Sequence, residues 1–356
     1  MDRGNISSLT SVRFFAAAWV VLYHTLGGWT LLRDSSPFFG FGYSGVTLFF
    51  VLSGFILSYT YSLRKYTLRD FWFARAARIL PVYFVALLVA LPFAIRNVRV
   101  GGAALAPYTL AAPVLLQSWF PKAALLWNGP GWSLSCEALF YLVFPFVAVP
   151  VARLSRRYFW PFLAVIWILS AAPAVCYALI RPEGVVDVAT EATLLSLVKF
   201  NPVIRLPEFL LGIGLGVAFL DGRRMPKARW VAVASVAALV MLLCLPHNLP
   251  YPAYHNGLLA PIYAALIFAL ASAPEMLDFP VLVLLGEASY SLYLLHEPVL
   301  NLLALFAKRM RWEQGGGFYL VFLLLCVAIS ILSYKFVEVP ARSWLKGRRE
   351  RAISPR

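Results

Sequence analysis

The stretch GYSGVTLFFVLSGFILSYTY, residues 42–61, runs for 20 positions without a charged side chain. At about 1.5 Å rise per residue, a helix of that length crosses the ~30 Å hydrocarbon core of a bilayer. A membrane-spanning strand would alternate apolar and polar residues instead. Comparable runs recur at 10–32, 79–97, 131–150, 159–180, 203–220, 230–246, 256–273, 288–307 and 317–339. The whole chain of 356 residues is 61% hydrophobic and 13% charged, with mean hydropathy +0.77, too little polar surface to coat a soluble globule. The predicted class is an all-α integral membrane protein, a bundle of about ten transmembrane helices.

The net charge of +15 is distributed over short loops between apolar spans, which points to anionic lipid headgroups and away from nucleic acid. With a cytoplasmic N-terminus, the inner loops carry Arg64, Lys65, Arg69, Arg75 and Arg78, then Arg153, Arg156 and Arg157, then Arg223, Arg224, Lys227 and Arg229. The outer loops are poorer in cations, and 181–192 holds Glu183, Asp187 and Glu191. Both termini are therefore expected in the cytoplasm. Lys308, Arg309 and Arg311 break the pattern on the outer side. The stretch 103–126, broken by Pro107, Pro113 and Pro121, reads as an interfacial or re-entrant segment in preference to an extra crossing. The expected organisation is a membrane domain over 1–345 with a basic cytoplasmic tail at 346–356, and no further module. Cys136, Cys176, Cys244 and Cys326 lie in apolar spans without metal-ligand spacing, so they read as buried small hydrophobes, and no metal is expected.

An ionisable group within a span costs about 2.5–3.5 kcal/mol on insertion scales, so each one calls for a reason. Arg13 and His24 lie about three turns apart and leave the first helix on nearly one face. Counting rises places His24 about 16 Å beyond Arg13, near mid-bilayer, at the depth expected for Glu137. A carboxylate beside an imidazole would orient it as a base for a hydroxyl, which makes His24 and Glu137 the expected catalytic pair. The alternative is that they only bind helices together by hydrogen bonds. Glu208 and His296 fall at similar depth and are candidate cavity-lining residues.

The segment LTSVRFFAAAWVVLYHT at 9–25 resembles the first-helix signature of acyltransferase family 3. It is followed in family order by GVTLFFVLSGFIL at 45–57, the basic segment with Arg75 and Arg78, and GPGWSLSCEALFYLVFP at 129–145. RLPEFLLGIGLG at 205–216, LGEASYSLYLLHEP at 285–298 and FVEVPARSWL at 336–345 complete the series. Thr47 and Ala138 depart from the family, standing where relatives often carry acidic residues.

The resemblance implies a membrane O-acyltransferase moving an acyl group, commonly acetyl, from acetyl-coenzyme A to a hydroxyl. The implied acceptor is an exopolysaccharide, O-antigen or other envelope carbohydrate, free or lipid-linked, at the bacterial cytoplasmic (inner) membrane. No permanently bound cofactor is implied; acyl-CoA is a co-substrate. His24, Glu137 and Arg13 are the expected catalytic residues, and Arg75 and Arg78 the expected donor-binding pair, since guanidinium forks suit phosphate oxygens. Ser53 and Ser133, with Ser135, are nucleophile candidates for which packing is the favoured role. Trp132 and Tyr293 are placed to stack on a sugar, although aromatics are ordinary at membrane interfaces. A transporter or flippase, and a non-catalytic scaffold of polysaccharide assembly, are the competing readings.

Overall fold

Inside hydrocarbon the backbone has no water to bond, so long apolar runs satisfy their N–H and C=O groups as helices. The computed structural model describes residues 6–62, 65–154, 156–180, 192–244 and 250–344, and among these there is no strand. The α-helices are, in chain order, α1 (Ser7–Thr25), α2 (Thr30–Ser35), α3 (Gly45–Tyr61), α4 (Leu68–Gly101), α5 (Trp132–Ala152), α6 (Arg156–Ile180) and α7 (Thr193–Phe200). They continue with α8 (Pro202–Leu220), α9 (Ala228–Cys244), α10 (Tyr251–His255), α11 (Ala260–Ser272), α12 (Pro280–Met310) and α13 (Gly316–Ser333).

Eight helical segments among the described residues are long and apolar enough to cross a membrane: Pro37–Tyr61, Leu68–Gly101, Gly129–Ala152, Arg157–Ile180, Thr193–Leu220, Tyr251–Ser272, Pro280–Met310 and Gly316–Trp344. Two expected spans fall short. Helix α9 has 17 residues, and α1 carries Arg13, His24 and several hydroxyls. The predicted 79–97 and 288–307 spans are parts of longer helices, of 34 and 31 residues, so Arg75 and Arg78 stand on α4 and not in a loop.

The stretch 103–126 forms no crossing helix but short 3-10 segments and turns, folded against the start of α5. There Gln117 donates to the Gly131 carbonyl at 2.6 Å, Ser118 to Trp132 at 2.6 Å, and Ser135 to Leu115 at 2.6 Å. Cys136 and Cys326 are buried as expected, whereas Cys176 and Cys244 are exposed on the outer faces of α6 and α9, where lipid tolerates an apolar thiol. The acidic 181–192 loop, apart from Ala192, and the basic tail lie outside the described residues.

Helix ends alternate. Ser8 and Ser11, at the start of α1, donate to the carbonyls of Leu270 and Leu277, each at 2.8 Å, so α1 begins where α11 finishes. This end, the basic end of the bundle, also collects Lys65, Arg69, Arg153, Arg157, Arg223, Arg224, Lys227 and Arg229. Lys308 and Arg309 sit at the opposite end in the last turn of α12, where cations meet unpaired helix carbonyls, and this local role explains their departure from the loop pattern.

Two close helix pairs position the interior. In α3 against α8, a Cβ on Gly212 would overlap the carbonyl of Val51, so only glycine allows the backbones to approach. In α1 against α12, Gly286 similarly faces the Thr10 carbonyl, which holds the Arg13–His24 face of α1 along α12. Gly212→Ala is expected to destabilise the fold by about 1–3 kcal/mol, the usual penalty of overpacking. Thermal unfolding in detergent checks this, with an unchanged midpoint as the contrary result.

Candidate active site

A cavity of about 320 Å³ opens between α1, α3, α4, α5 and α12. Arg13, Arg75, Arg78, Arg342, Glu137 and Glu287 give it its charge, and Ser53, Tyr141 and Tyr290 add hydroxyls. The π-helical turn Tyr334–Glu338 extends α13 and carries Glu338, fully buried, to the cations. Arg78 pairs with Glu338 at 3.1 Å and approaches Glu287 at 3.9 Å, while Arg342 bonds the same Glu338 oxygen. Arg75 donates to the Tyr61 hydroxyl at 3.0 Å and lies over its ring. Arg13 has no hydrogen bond or ion pair among the described residues, so its guanidinium is available to a ligand. Four guanidiniums against three carboxylates leave this chamber net cationic.

Arg13, Phe49, Glu137 and Tyr290 also line a second space of about 50 Å³, deeper along α12, with Ser133 and Tyr293 beyond them. The Tyr293 ring then meets that of His296 at 6.1 Å, and His296 meets His24 at 4.9 Å between ring centroids. Glu287, Tyr290, Tyr293 and His296 thus form a polar stripe at helical spacing from the basic end to the histidine pair.

The histidine geometry differs from the expected pairing. His24 is not held by Glu137: its Nδ1 lies 2.8 Å from the Val20 carbonyl and 3.3 Å from His296 Nε2. Glu137 accepts from the Tyr141 hydroxyl at 2.9 Å. Helix α1 stops at Thr25 before Gly27 and Gly28, which leaves His24 near the C-terminal end of its helix with an open face.

The hydrogen-bond pattern assigns the protons. His296 Nδ1 donates to the Tyr293 carbonyl at 2.7 Å, which leaves its Nε2 as an acceptor. His24 Nδ1–H is then shared between Val20 and His296, and His24 Nε2 keeps its lone pair with no protein partner among the described residues. That nitrogen can accept a proton from an incoming hydroxyl.

Of the other expected site residues, Ser53, Ser133 and Tyr293 line the two chambers, but Trp132, Glu208 and His296 line neither. Ser133 donates to Pro130 at 3.0 Å, a local helix-start bond. Trp132 and Glu208 belong to a separate buried cluster. There Arg205 bonds Glu208 at 2.9 Å, Thr47 at 3.1 Å and the His255 carbonyl at 2.6 Å, with its guanidinium over Phe50 and Trp132. Thr47 bridges this pair, accepting from Arg205 and donating to Glu208 at 3.4 Å. Sequence reasoning missed Glu338 and Arg342 as neighbours of the cationic chamber and Tyr141 as the partner of Glu137. The first two are four apart at the end of an apolar span, a readable signal. Among the described residues no group of three or more His, Cys, Asp or Glu is placed to hold a metal ion.

The profile described as an acyltransferase domain, that of acyltransferase family 3, matches residues 6–335. Acyltransferase MdmB of Streptomyces mycarofaciens is 29% identical over 98% of this chain and 95% of its own length. The exopolysaccharide production protein ExoZ of Rhizobium meliloti is 29% identical over 75% of this chain and 79% of its own. O-acetyltransferase OatA of Staphylococcus aureus is 24% identical over 99% of this chain, which spans 59% of the OatA length. No solved structure matches the chain significantly. A profile that covers nearly the whole bundle, including the helix pair α1 and α12 that carries Arg13, His24 and His296, makes this chain a member of acyltransferase family 3 and an acyltransferase.

Proposed function

We propose that the protein is a membrane O-acyltransferase that takes an acyl group, acetyl first of all, from acyl-CoA and passes it to a hydroxyl of an envelope carbohydrate. The carrying observation is the polar line from the arginine chamber at the basic end to the unpartnered His24 Nε2 near the other. In this reading the basic end faces the cytoplasm, α1 and α9 complete ten crossings, and both termini are cytoplasmic, in a bacterial inner membrane. The names of OatA and ExoZ favour an acetyl group and an exopolysaccharide acceptor.

The polyanionic end of the donor docks on Arg75 and Arg13, the cations without carboxylate partners, while Arg78 and Arg342 are held by Glu338. The pantetheine arm follows the α1–α12 line. His24 Nε2 takes the acceptor hydroxyl proton, the oxygen attacks the thioester carbonyl, and the C–S bond breaks. The departing thiolate takes up the proton held by His24, so free CoA and the ester leave with no net proton change. His296 Nε2 holds His24 in the tautomer this requires, the role first expected of Glu137.

The test is acyl transfer by purified protein in nanodiscs, with labelled acetyl-CoA and a panel of envelope glycans. Labelled ester on a glycan is expected, and absence of donor binding would instead favour transport. Within that assay Arg75→Gln is expected to raise KM for acetyl-CoA about 10–100-fold with kcat little changed, the loss of a charge-assisted contact made equally in ground and transition states. Arg75→Lys restores only part, because an ammonium lacks the fork. An unchanged KM would remove Arg75 from the donor site.

A further inference from the structure

A furrow of about 600 Å³ on the outer surface runs along α8 between α6 and α11, remote from the acyl-transfer line. Its floor is Leu211, Leu215 and Ala218, and its walls include Trp167, Ala264 and Phe268. The lining, Phe159–Trp167 on α6, Leu211–Ala218 on α8 and Pro261–Phe268 on α11, spans about two turns of each helix, and the deep end is closed where Trp167 donates to the Gly257 carbonyl at 3.1 Å. The lining has one charged feature, at its basic end, where Arg223 and Arg224 stand at the lip.

The arginines are held there by rings and carbonyls. Arg223 lies over Phe159 and Trp160, at 4.5 and 5.6 Å from the ring centroids. Arg224 lies over Phe219 at 3.8 Å and donates to the carbonyls of Phe219 and Arg223, at 2.7 and 2.8 Å. Neither has an ion pair among the described residues, whereas nearby Arg229 is neutralised by Glu275 at 2.8 Å. Two uncompensated guanidiniums, preset by cation–π contacts at the mouth of an apolar furrow, match a molecule with an anionic head and aliphatic tails.

We infer that this furrow binds an anionic phospholipid, its acyl chains along α8 and its phosphate on Arg223 and Arg224. The inference is independent of the acyl-transfer reading except for placing the basic end at the cytoplasmic headgroup layer. The site is not a route to His24, since α8 and α11 separate it from the α1–α12 line, so the lipid acts on the fold and not as acceptor.

Full-length protein in mild detergent is titrated with palmitoyl-oleoyl phosphatidylglycerol or the matching phosphatidylcholine, with bound lipid counted by native mass spectrometry. The wild type is expected to prefer the glycerol lipid, and Arg223→Gln with Arg224→Gln to weaken its binding about thirtyfold, the combined worth of two arginines at an anionic surface. Arg229→Gln should leave binding intact. Ala264→Phe, which fills the furrow but keeps both cations, should also lose it, and this separates a seated lipid from headgroup attraction alone. Monodisperse elution of each variant establishes that it is folded. Equal retention of the two lipids by the wild type, or unchanged phosphatidylglycerol binding in either furrow variant, overturns the inference.

Discussion

His24→Ala is expected to lower acyl transfer by about 10²–10⁴-fold, the usual contribution of a positioned general base, while the protein stays folded and membrane-inserted. The separation of activity from stability follows from the environment of the ring. It sits near the end of α1 with an open face, and its removal leaves no buried charge, only His296 Nε2 without its donor. His296→Gln should show a smaller loss and a shifted pH–rate profile, because His24 keeps its nitrogen but loses the partner that fixes its orientation. Glu137→Gln separates the two geometries: if Glu137 held the histidine, it would reproduce the His296→Gln profile. With Glu137 bonded to Tyr141 beside Arg13, the expected change is in KM for the donor, with the pH profile in place. Retained activity in His24→Ala with the wild-type pH profile would remove this imidazole from the chemistry.

The sequence exposed what depends on local pattern. Uncharged runs as long as a bilayer is thick are membrane helices, and the period of α1 puts Arg13 and His24 on one face. What depends on where a helix stops was harder to see. The apolar pattern extends the first span to 32, past Gly27 and Gly28, whereas α1 ends at Thr25, so His24 stands one residue from the end of its helix. The paired glycines were a readable stop signal, overridden by the apolar residues beyond them. The partners of the buried polar groups were not legible at all. Depth arithmetic matches levels along the bilayer normal but says nothing of helix neighbours, so Glu208 and His296 were assigned to one cavity, whereas α8 and α12 carry them into different clusters. Thr47 shows the same limit, since its role as a bridge between Arg205 and Glu208 needs α3 to lie on α8, a contact made by Gly212.

Glu208→Ala is expected to destabilise the protein by about 3–5 kcal/mol, the penalty for leaving a buried charge without its partner. Arg205 is fully buried, and Glu208 is its only carboxylate within ion-pair distance among the described residues. Thr47 and the His255 carbonyl would remain, neutral groups that cannot balance a guanidinium lying over Phe50 and Trp132. The loss should appear as a lower unfolding midpoint in detergent and as less protein in the membrane. Arg205→Met is expected to cost a similar amount by stranding the carboxylate. The double variant, Arg205→Met with Glu208→Met, removes both charges together and should recover most of the stability, a coupling of several kcal/mol in a double-mutant cycle. Activity then separates two roles. Phe50 lines the inner chamber, so a pair that only seats this wall allows the double variant to keep transfer once it folds. A double variant that is stable but inactive would place Arg205 and Glu208 in the reaction itself, and a Glu208→Ala protein as stable as the wild type would show that the cluster is not holding α3, α8 and α10 together.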